Sequence, residues 1–305
     1  MIKSKNNRPI RRMEYWLVIA SVILVSICYY GLRALAVYGL ATVTAVLTDF
    51  ICLFFRGRHY KLIDLSNAAN ALILAMMFPA TVPYSIVILS TVFASAVGTH
   101  VFGYRKDYLF PPAAVGYLFA LICWRSEILQ FPHPGERLSL FGNQVTLYDT
   151  AASLSQNSKN FLERLLGTIS APMGTGCLLL LAVGMVVLLL RRQLDPWAAI
   201  GYVFGTEIAA FFMQLPTGQI LSLNMVLFCM LFMVTDPSLM PCRGLWACLG
   251  AACTGLLTIY LFGIYKLEYA SVIAVMLTCP LWRGLAVLGQ KVSGTAHEEE
   301  TLDEA

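Results

Sequence analysis

The sequence contains few charged residues. Only 12% of its 305 residues are Asp, Glu, Lys or Arg, and 58% are hydrophobic, whereas an average soluble domain carries about 25% charged residues. So little charge cannot cover the surface of a water-soluble protein of this size, and that class of protein is excluded. The composition predicts a membrane protein instead.

Metal-binding and redox motifs are also scarce. The nine cysteines lie in or beside apolar stretches and form no C-x-x-C pair, so they are interpreted as small packing residues. The four histidines, His59, His100, His133 and His297, form no i, i+4 pair that would bracket a haem or a metal ion. The sequence therefore predicts no metal site, and no catalytic residue is assigned.

Long hydrophobic runs make up most of the chain. A bilayer core about 30 Å thick needs roughly 20 apolar residues per helix, and about ten segments can be counted on that basis. They cover residues 14–32, 34–55, 66–79, 83–103, 110–124, 172–190, 196–214, 219–235, 244–263 and 267–288. The third and eighth are short or interrupted, and the first is interpreted as a retained helix rather than a signal peptide. Hydropathy this continuous does not fit a barrel, so we predict an all-α integral membrane protein.

The distribution of Lys and Arg predicts the orientation. With a cytoplasmic N-terminus, fifteen basic residues fall inside and six outside, in agreement with the excess of positive charge in cytoplasmic loops. The inside set is Lys3, Lys5, Arg8, Arg11, Arg12, Arg56, Arg58, Lys61, Arg105, Lys106, Arg191, Arg192, Arg243, Arg283 and Lys291, and the outside set is Arg33, Arg125, Arg137, Lys159, Arg164 and Lys266. Both termini are predicted to be cytoplasmic, with a disordered acidic tail at residues 291–305. The inside loops account for the net charge of +4, so no nucleic-acid partner is expected.

A long polar segment divides the chain into two halves. We predict an extracytoplasmic loop at residues 125–171, between five-helix repeats at residues 1–124 and 172–290. An odd number of helices per half gives the halves opposite orientations, as in inverted-repeat transporters. The interrupted third segment of each half, "SNAANALILAMMFPATVP" or "LSLNMVLFCMLFMVTDPSLMP", contains an Asn, several Met residues and a helix-ending Pro. Matching broken helices predict a site near the membrane midplane, unless each Pro simply closes a helix at the surface.

Two acidic residues, Asp49 and Glu207, lie inside apolar spans. A charge at bilayer depth costs at least about 2.5 kcal/mol unless it is paired or solvated. Asp49 is near the inner end of its helix, which favours a position at the membrane interface. Glu207 lies nearer the middle of its helix and is the candidate for an ion pathway, carrying an ion or a proton.

Several motifs follow one another in the order of a known family. In "KLIDLSNAANALILAMMFPATVP", residues 64–66 stand at an Asp-Gly-Ser motif, and in "GTHVFGYRKDYLFPPAAVGYLFALICW", residues 110–117 stand at Phe-Asn-Pro-Ala-x-Val-Gly-Tyr. "GTISAPMGTGCLLLLAVGMVVLLLRRQLDPWAAIGYVFG" and "MLFMVTDPSLMPCRG" match later helices and an Ala-Thr-Asp-Pro turn. Over residues 40–285 the chain resembles the NqrB/RnfD family, membrane proteins of sodium-pumping NADH:quinone oxidoreductases and of Rnf electron-transport complexes.

The resemblance implies a fold, a cofactor and partners. The fold would be ten transmembrane helices in two inverted five-helix repeats, with broken third and eighth helices, in a bacterial inner membrane. The chain would be one subunit of an ion-translocating oxidoreductase, or translocase, rather than a stand-alone enzyme, and it would work with the other subunits to couple electron transfer to sodium or proton transport. FMN would be joined through its phosphate to a hydroxyl side chain in the outer loop by a flavin transferase. A second flavin could bind without a covalent bond.

The matching attachment stretch is "DTAAS", residues 149–153. In the family, the recognition sequence Asp-x-x-Ser/Thr-Gly/Ser-Ala-Thr ends in the acceptor. Here Ser153 falls at the acceptor position, with Asp149 and Thr150 as further cofactor-site residues, although the Asp is closer to the acceptor and Leu154 replaces the usual Pro. A Ser hydroxyl can form the same phosphoester. Alternatively, Asp149 or Thr150 is the N-cap of a loop helix.

Two other functions compete with electron transport. One is a channel or transporter for a small polar solute, in which Asn67, Asn70 and Asn224 would offer hydrogen bonds along the pore. The other is a divergent structural subunit that has lost the covalent flavin. Neither of these functions requires a flavin in the outer loop.

Overall fold

The computed structural model describes most of the apolar part of the chain. The described residues are 13–55, 66–104, 107–135, 138, 140, 147–149, 165–167, 170–215, 225–237, 239, 244–265 and 269–303. Helix is the main secondary structure in these ranges, and the strands are short.

Eleven helices and four short strands are described. The helices are α1 (Met13–Tyr30), α2 (Leu32–Phe55), α3 (Ser66–Met76), α4 (Tyr84–Phe93), α5 (Pro112–Cys123), α6 (Arg125–Ile128), α7 (Leu178–Leu190), α8 (Pro196–Phe212), α9 (Val226–Cys229), α10 (Leu245–Tyr265) and α11 (Ala270–Asp303). The strands are β1 (Gly103–Tyr104), β2 (Asp107–Tyr108), β3 (Gln130–Pro132) and β4 (Leu147–Asp149). Two helices continue with a wider π-helical turn, α4 through Ala94–Val101 and α9 through Met230–Val234.

Several helices are long and apolar. Among the described residues, four stretches have the length and hydropathy needed to cross a membrane, namely Met13–Tyr30, Leu32–Phe55, Tyr84–Val101 and Leu245–Tyr265. Large apolar side chains on their surfaces are exposed, as on α2 and α10. Contiguous apolar surface of this kind is unfavourable in water but is suited to lipid. The structure therefore agrees with the predicted all-α membrane protein.

Two boundaries differ from the sequence-based prediction. The sixth apolar segment was expected from residue 172, but α7 starts at Leu178, because Pro172, Gly174 and Gly176 favour irregular backbone. The acidic tail was expected to be disordered, but α11 continues to Asp303. Ala, Leu and Glu in this segment have high helix propensity, and no Pro interrupts it after Pro280.

The chain forms two compact units. The first comprises the described residues within Met1–Tyr104 and Pro112–Gln193, and the second those within Arg105–Pro111 and Leu194–Ala305. Thus α7 belongs to the first unit by its packing. The two units are defined by contacts between residues, whereas the predicted repeats were defined by the order and orientation of the helices. The units therefore do not test the predicted domain boundaries at residues 124, 171 and 290, which stay predictions.

The second unit is organised around a close contact between α8 and α10. A Cβ atom at Gly201 would overlap the carbonyl oxygen of Cys248, and one at Gly205 would overlap that of Ala252. Small residues four apart let two backbones approach closely, which favours helix association where lipid supplies no hydrophobic driving force. The glycines of "GYVFG" are therefore required by packing.

Candidate functional site

In the first unit, the broken helix α3 is enclosed by protein. Its residues Ala69, Leu74 and Met76 are fully buried, and so is Phe78 in the irregular segment that follows. The helix ends at Met76, three residues before Pro79. Irregular backbone at membrane depth is tolerated only inside protein or beside a cavity, so the carbonyl groups released here need partners.

Two elements supply those partners. The segment before α7 lies against the end of α3, where the Gly174 N–H donates to the Met76 carbonyl at 2.7 Å and the Met173 N–H donates to that of Phe78 at 3.1 Å. The buried guanidinium of Arg33 donates to the carbonyls of Ala80 and Thr81 at 2.8 and 3.0 Å. A positive charge is also favourable at the C-terminal end of a helix.

The second unit has its own broken helix, formed by α9 and its π-helical continuation. Every residue of Met230–Val234 is buried, and Met225 before α9 adopts a left-handed conformation with φ of 62°. Past its end, the Asp195 N–H donates to the Thr235 carbonyl at 3.2 Å. Wider helical turns of this type frequently occur at functional sites.

A polar cluster occupies the first unit between α2, α3 and the π-helix Ala94–Val101. Thr99 donates a hydrogen bond to Oδ1 of Asn67 at 3.2 Å, and Nδ2 of Asn67 lies 3.5 Å from the carbonyl oxygen of Ala45. Asn67 and Thr99 are both buried. The residue after Thr99 is His100, which contacts the next turn of α2.

His100 and Asp49 form a close pair in this cluster. Nε2 of His100 lies 2.6 Å from Oδ1 of Asp49, and the two side chains are only 11% and 12% exposed. Asp49 follows Ala45 by one helical turn, so the His100–Asp49 and Asn67–Ala45 contacts lie on the same face of α2. From the sequence, Asp49 was expected at the membrane interface. No sequence signal indicated the pair, because its members are 51 residues apart.

The cluster and the contacts made by Leu140 and Leu166, which lie within residues 125–171, are at opposite ends of the first unit. The Tyr29 hydroxyl near the end of α1 donates to the Leu166 carbonyl at 2.7 Å, and the Tyr84 hydroxyl at the start of α4 donates to that of Leu140 at 2.9 Å. Asp49 is instead near the end of α2, and His100 is near the end of the π-helix that continues α4. Since α4 starts beside the loop, its continuation carries His100 away from it.

The residues predicted for flavin attachment are only partly described. Asp149 is the last residue of β4, which pairs with β3 so that Asp149 is opposite Gln130. Thr150 and Ser153 lie outside the described residues. Glu207 is on α8, five residues before the helix end at Phe212, and its side chain is half-buried.

Comparison with known proteins identifies the family. The sequence pattern of the NQR2, RnfD, RnfE family matches residues 2–281. The chain belongs to this family. The resemblance found from its motifs is thereby confirmed, and membership together with the apolar helices makes the chain a multi-pass membrane protein.

Curated relatives share the name of one component, the D subunit of an ion-translocating oxidoreductase complex. The chain is 34% identical over 127 residues to the D subunit of Haemophilus influenzae (strain PittEE), a match that covers 40% of this chain and 36% of the relative. It is 28% identical over 153 residues to the protein of that name from Yersinia pseudotuberculosis (serotype O:1b), covering 49% of this chain and 43% of the relative. These alignments thus span less than half of each relative.

Proposed function

We propose that this NQR2, RnfD, RnfE family member is a membrane flavoprotein subunit of an Rnf/Nqr-type ion-translocating electron-transport complex. It would pass electrons through an FMN on the outer face, in a process coupled to sodium or proton transport, with the other subunits supplying and accepting the electrons. The observation that carries this proposal is the family match over residues 2–281, supported by relatives that are named as subunits of ion-translocating oxidoreductases.

The proposed architecture has ten transmembrane helices in two inverted repeats. Each unit contains a broken, buried helix, and each break is followed by two prolines four residues apart, Pro79 and Pro83 in one and Pro237 and Pro241 in the other. Equivalent broken helices in two halves are typical of inverted-repeat transporters. The proposed orientation, with cytoplasmic termini in a bacterial inner membrane, comes from the distribution of basic residues.

The donor chemistry of the outer loop suits a phosphate-linked FMN. The stretch at residues 150–158 contains several hydroxyl side chains, and Ser153 would form the phosphoester, with Asp149 and Thr150 beside it. Asp149, which precedes this stretch, is the last residue of β4, and β4 pairs with β3. When bound, FMN would supply one-electron transfer chemistry. The chain itself would hold the flavin outside the apolar spans, and a flavin transferase would attach it.

The competing channel function has weaker support from the contacts. Asn67 was a candidate pore-lining amide, but its side chain is buried and engaged with Thr99 and the Ala45 carbonyl. An amide engaged in this way links α3 to α2 and to the π-helix. Asn224, another candidate, lies outside the described residues.

Ion movement by the native complex tests the proposed function. Membrane vesicles would be prepared from the source cells, from a strain lacking the chain, and from that strain complemented with the wild-type chain. We expect electron-donor-driven charge movement in the first and third preparations and its loss in the second. Undiminished charge movement in the second preparation would contradict the proposal. Solute uptake by the isolated chain in flavin-free vesicles would support the channel instead.

A further inference from the structure

We infer that the start of α1 and the end of α7, in the first unit, form a binding site for an anionic phospholipid. Arg191 and Arg192 hold its phosphate group, and the apolar surfaces of the two helices contact its acyl chains. The inference uses the proposed orientation, which places this end of the helices at the cytoplasmic leaflet. It does not depend on electron transport, on the flavin stretch or on Glu207.

The two helices are antiparallel neighbours. A Cβ atom at Gly184 would lie 2.8 Å from Cγ1 of Val18, so α7 packs closely on α1. Farther along the pair, Nε2 of Gln193 donates to Oε2 of Glu14 at 3.2 Å. Glu14 is in the first turn of α1 and Gln193 lies three residues after the end of α7. The start of one helix therefore lies beside the end of the other.

Two arginines stand at this end of the pair. Arg191 and Arg192 directly follow α7, and both are exposed. The helix end is closed by backbone bonds, in which the N–H groups of residues 191–193 donate to carbonyls of residues 187–189 at 2.9–3.0 Å. The cap of α7 therefore does not require the guanidinium groups. A guanidinium is planar and matches phosphate oxygens with two parallel hydrogen bonds.

The charge of this region complements an anionic membrane surface. Glu14 is the single acidic residue of α1 and α7, and Gln193 donates a hydrogen bond to it. The sequence immediately before α1 adds five basic residues, which lie outside the described part of the chain: Lys3, Lys5, Arg8, Arg11 and Arg12. Clusters of roughly four to eight basic residues on the cytoplasmic side of a transmembrane helix attract anionic lipids.

Large apolar side chains continue the surface beyond the arginines. Val183, Val187 and Leu190 are exposed, and their spacing of four and three residues places them on one face of α7. On α1, Leu17 precedes the contact residue Val18 and is also exposed. An apolar face alone accepts any lipid, but here Arg191 follows Leu190 directly. A lipid whose chains lie on this face would have its headgroup at the arginines, which selects a negatively charged one.

Native mass spectrometry of the full chain in detergent tests the inference, with phosphatidylglycerol as the anionic probe and phosphatidylcholine as the zwitterionic one. We expect the wild type to bind phosphatidylglycerol more tightly, and less so at high salt. Each basic residue near an anionic lipid surface contributes about fivefold in affinity. The double variant Arg191→Gln and Arg192→Gln should therefore bind phosphatidylglycerol about 25-fold more weakly and phosphatidylcholine as before.

Three controls make the test specific. Arg125→Gln removes an exposed arginine from α6 and should leave the affinity unchanged. The double variant Arg191→Lys and Arg192→Lys keeps the charge but loses the planar fork, so its affinity should be intermediate. Inorganic phosphate at the same concentration as the lipid should not displace it, because phosphate has no acyl chains to contact α1 and α7.

Several results would overturn the inference. Equal affinity of the wild type for the two lipids excludes an anionic lipid site, and this comparison needs no variant to fold. Displacement by equimolar phosphate would show a site for a free anion, and an unchanged affinity in the folded Gln double variant would show that the arginines do not form the site.

The native complex provides a further test. A photoreactive residue, introduced as Leu190→p-benzoylphenylalanine, should cross-link to phospholipid. Cross-linking to another subunit would show that protein covers this surface, and the inference would be wrong. The lipid measurements need no electron donor and no flavin, so their failure leaves the proposed function standing. Conversely, a chain without flavin that prefers phosphatidylglycerol would keep this inference and lose the proposed function.

Discussion

The backbone of Gly174 lies directly against Met76 at the end of the broken helix α3. The Gly174 N–H donates to the Met76 carbonyl at 2.7 Å, and a Cβ at Gly174 would overlap that of Met76. The segment before α7 thus takes the place of the missing helical turn. This contact makes the break in α3 stable, and a single methyl group can disturb it.

The variant Gly174→Ala should destabilise the protein by about 1–3 kcal/mol, the usual cost of overpacking. Gly176→Ala is the matched control, because no atom lies within 4 Å of a Cβ at that position. The midpoint of thermal unfolding in detergent, followed by the loss of monodisperse protein, measures the effect. Equal midpoints for the two variants would show that the contact is absent.

Replacement of Arg33 should destabilise the irregular segment that follows α3. Arg33→Met leaves the carbonyls of Ala80 and Thr81 without their charged donors, and bonds to charged groups contribute about 1.5–3 kcal/mol each. Arg33→Lys keeps the charge but loses the fork that reaches both carbonyls, so its unfolding midpoint should be intermediate. If Arg33→Met unfolds at the wild-type temperature, Arg33 does not stabilise the break.

In the second unit, Gly201→Ala should separate α8 from α10 and lower stability by about 1–3 kcal/mol. Gly284→Ala on α11 is the control; its Cβ would meet nothing within 4 Å, and alanine favours a helix by up to about 1 kcal/mol over glycine. The two variants should therefore shift the unfolding midpoint in opposite directions. A neutral or stabilising Gly201→Ala would contradict the close helix contact.

Glu207 tests the ion pathway in the second unit. Glu207→Gln removes the charge with little change of volume and should slow ion movement by the reconstituted complex about tenfold, as a barrier about 1.4 kcal/mol higher would. Glu127→Gln on the exposed helix α6 should have no effect. Unchanged ion movement in Glu207→Gln would remove Glu207 from the mechanism.

Hydropathy predicted where the helices lie in the sequence, but it did not predict which residues of different helices are in contact. The continuous apolar run of α2 and the Pro residues after α3 are local signals, so the spans near residues 34–55 and 66–79 agree closely with the structure. The pairing of Asp49 with His100 depends on a π-helical turn, which has no signature in composition or period. The irregular backbone before α7 was missed because the count of apolar residues gave no weight to Pro172, Gly174 and Gly176.

Flavin attachment is the most direct test of the proposed function. The chain would be co-expressed with a flavin transferase, examined for in-gel fluorescence, and digested for mass spectrometry of the peptide that contains Ser153. We expect one FMN phosphate adduct on Ser153 in the wild type, its loss in Ser153→Ala, and its retention in the nearby control Ser158→Ala. A wild-type chain without any flavin adduct would contradict the account and favour a structural subunit or a channel.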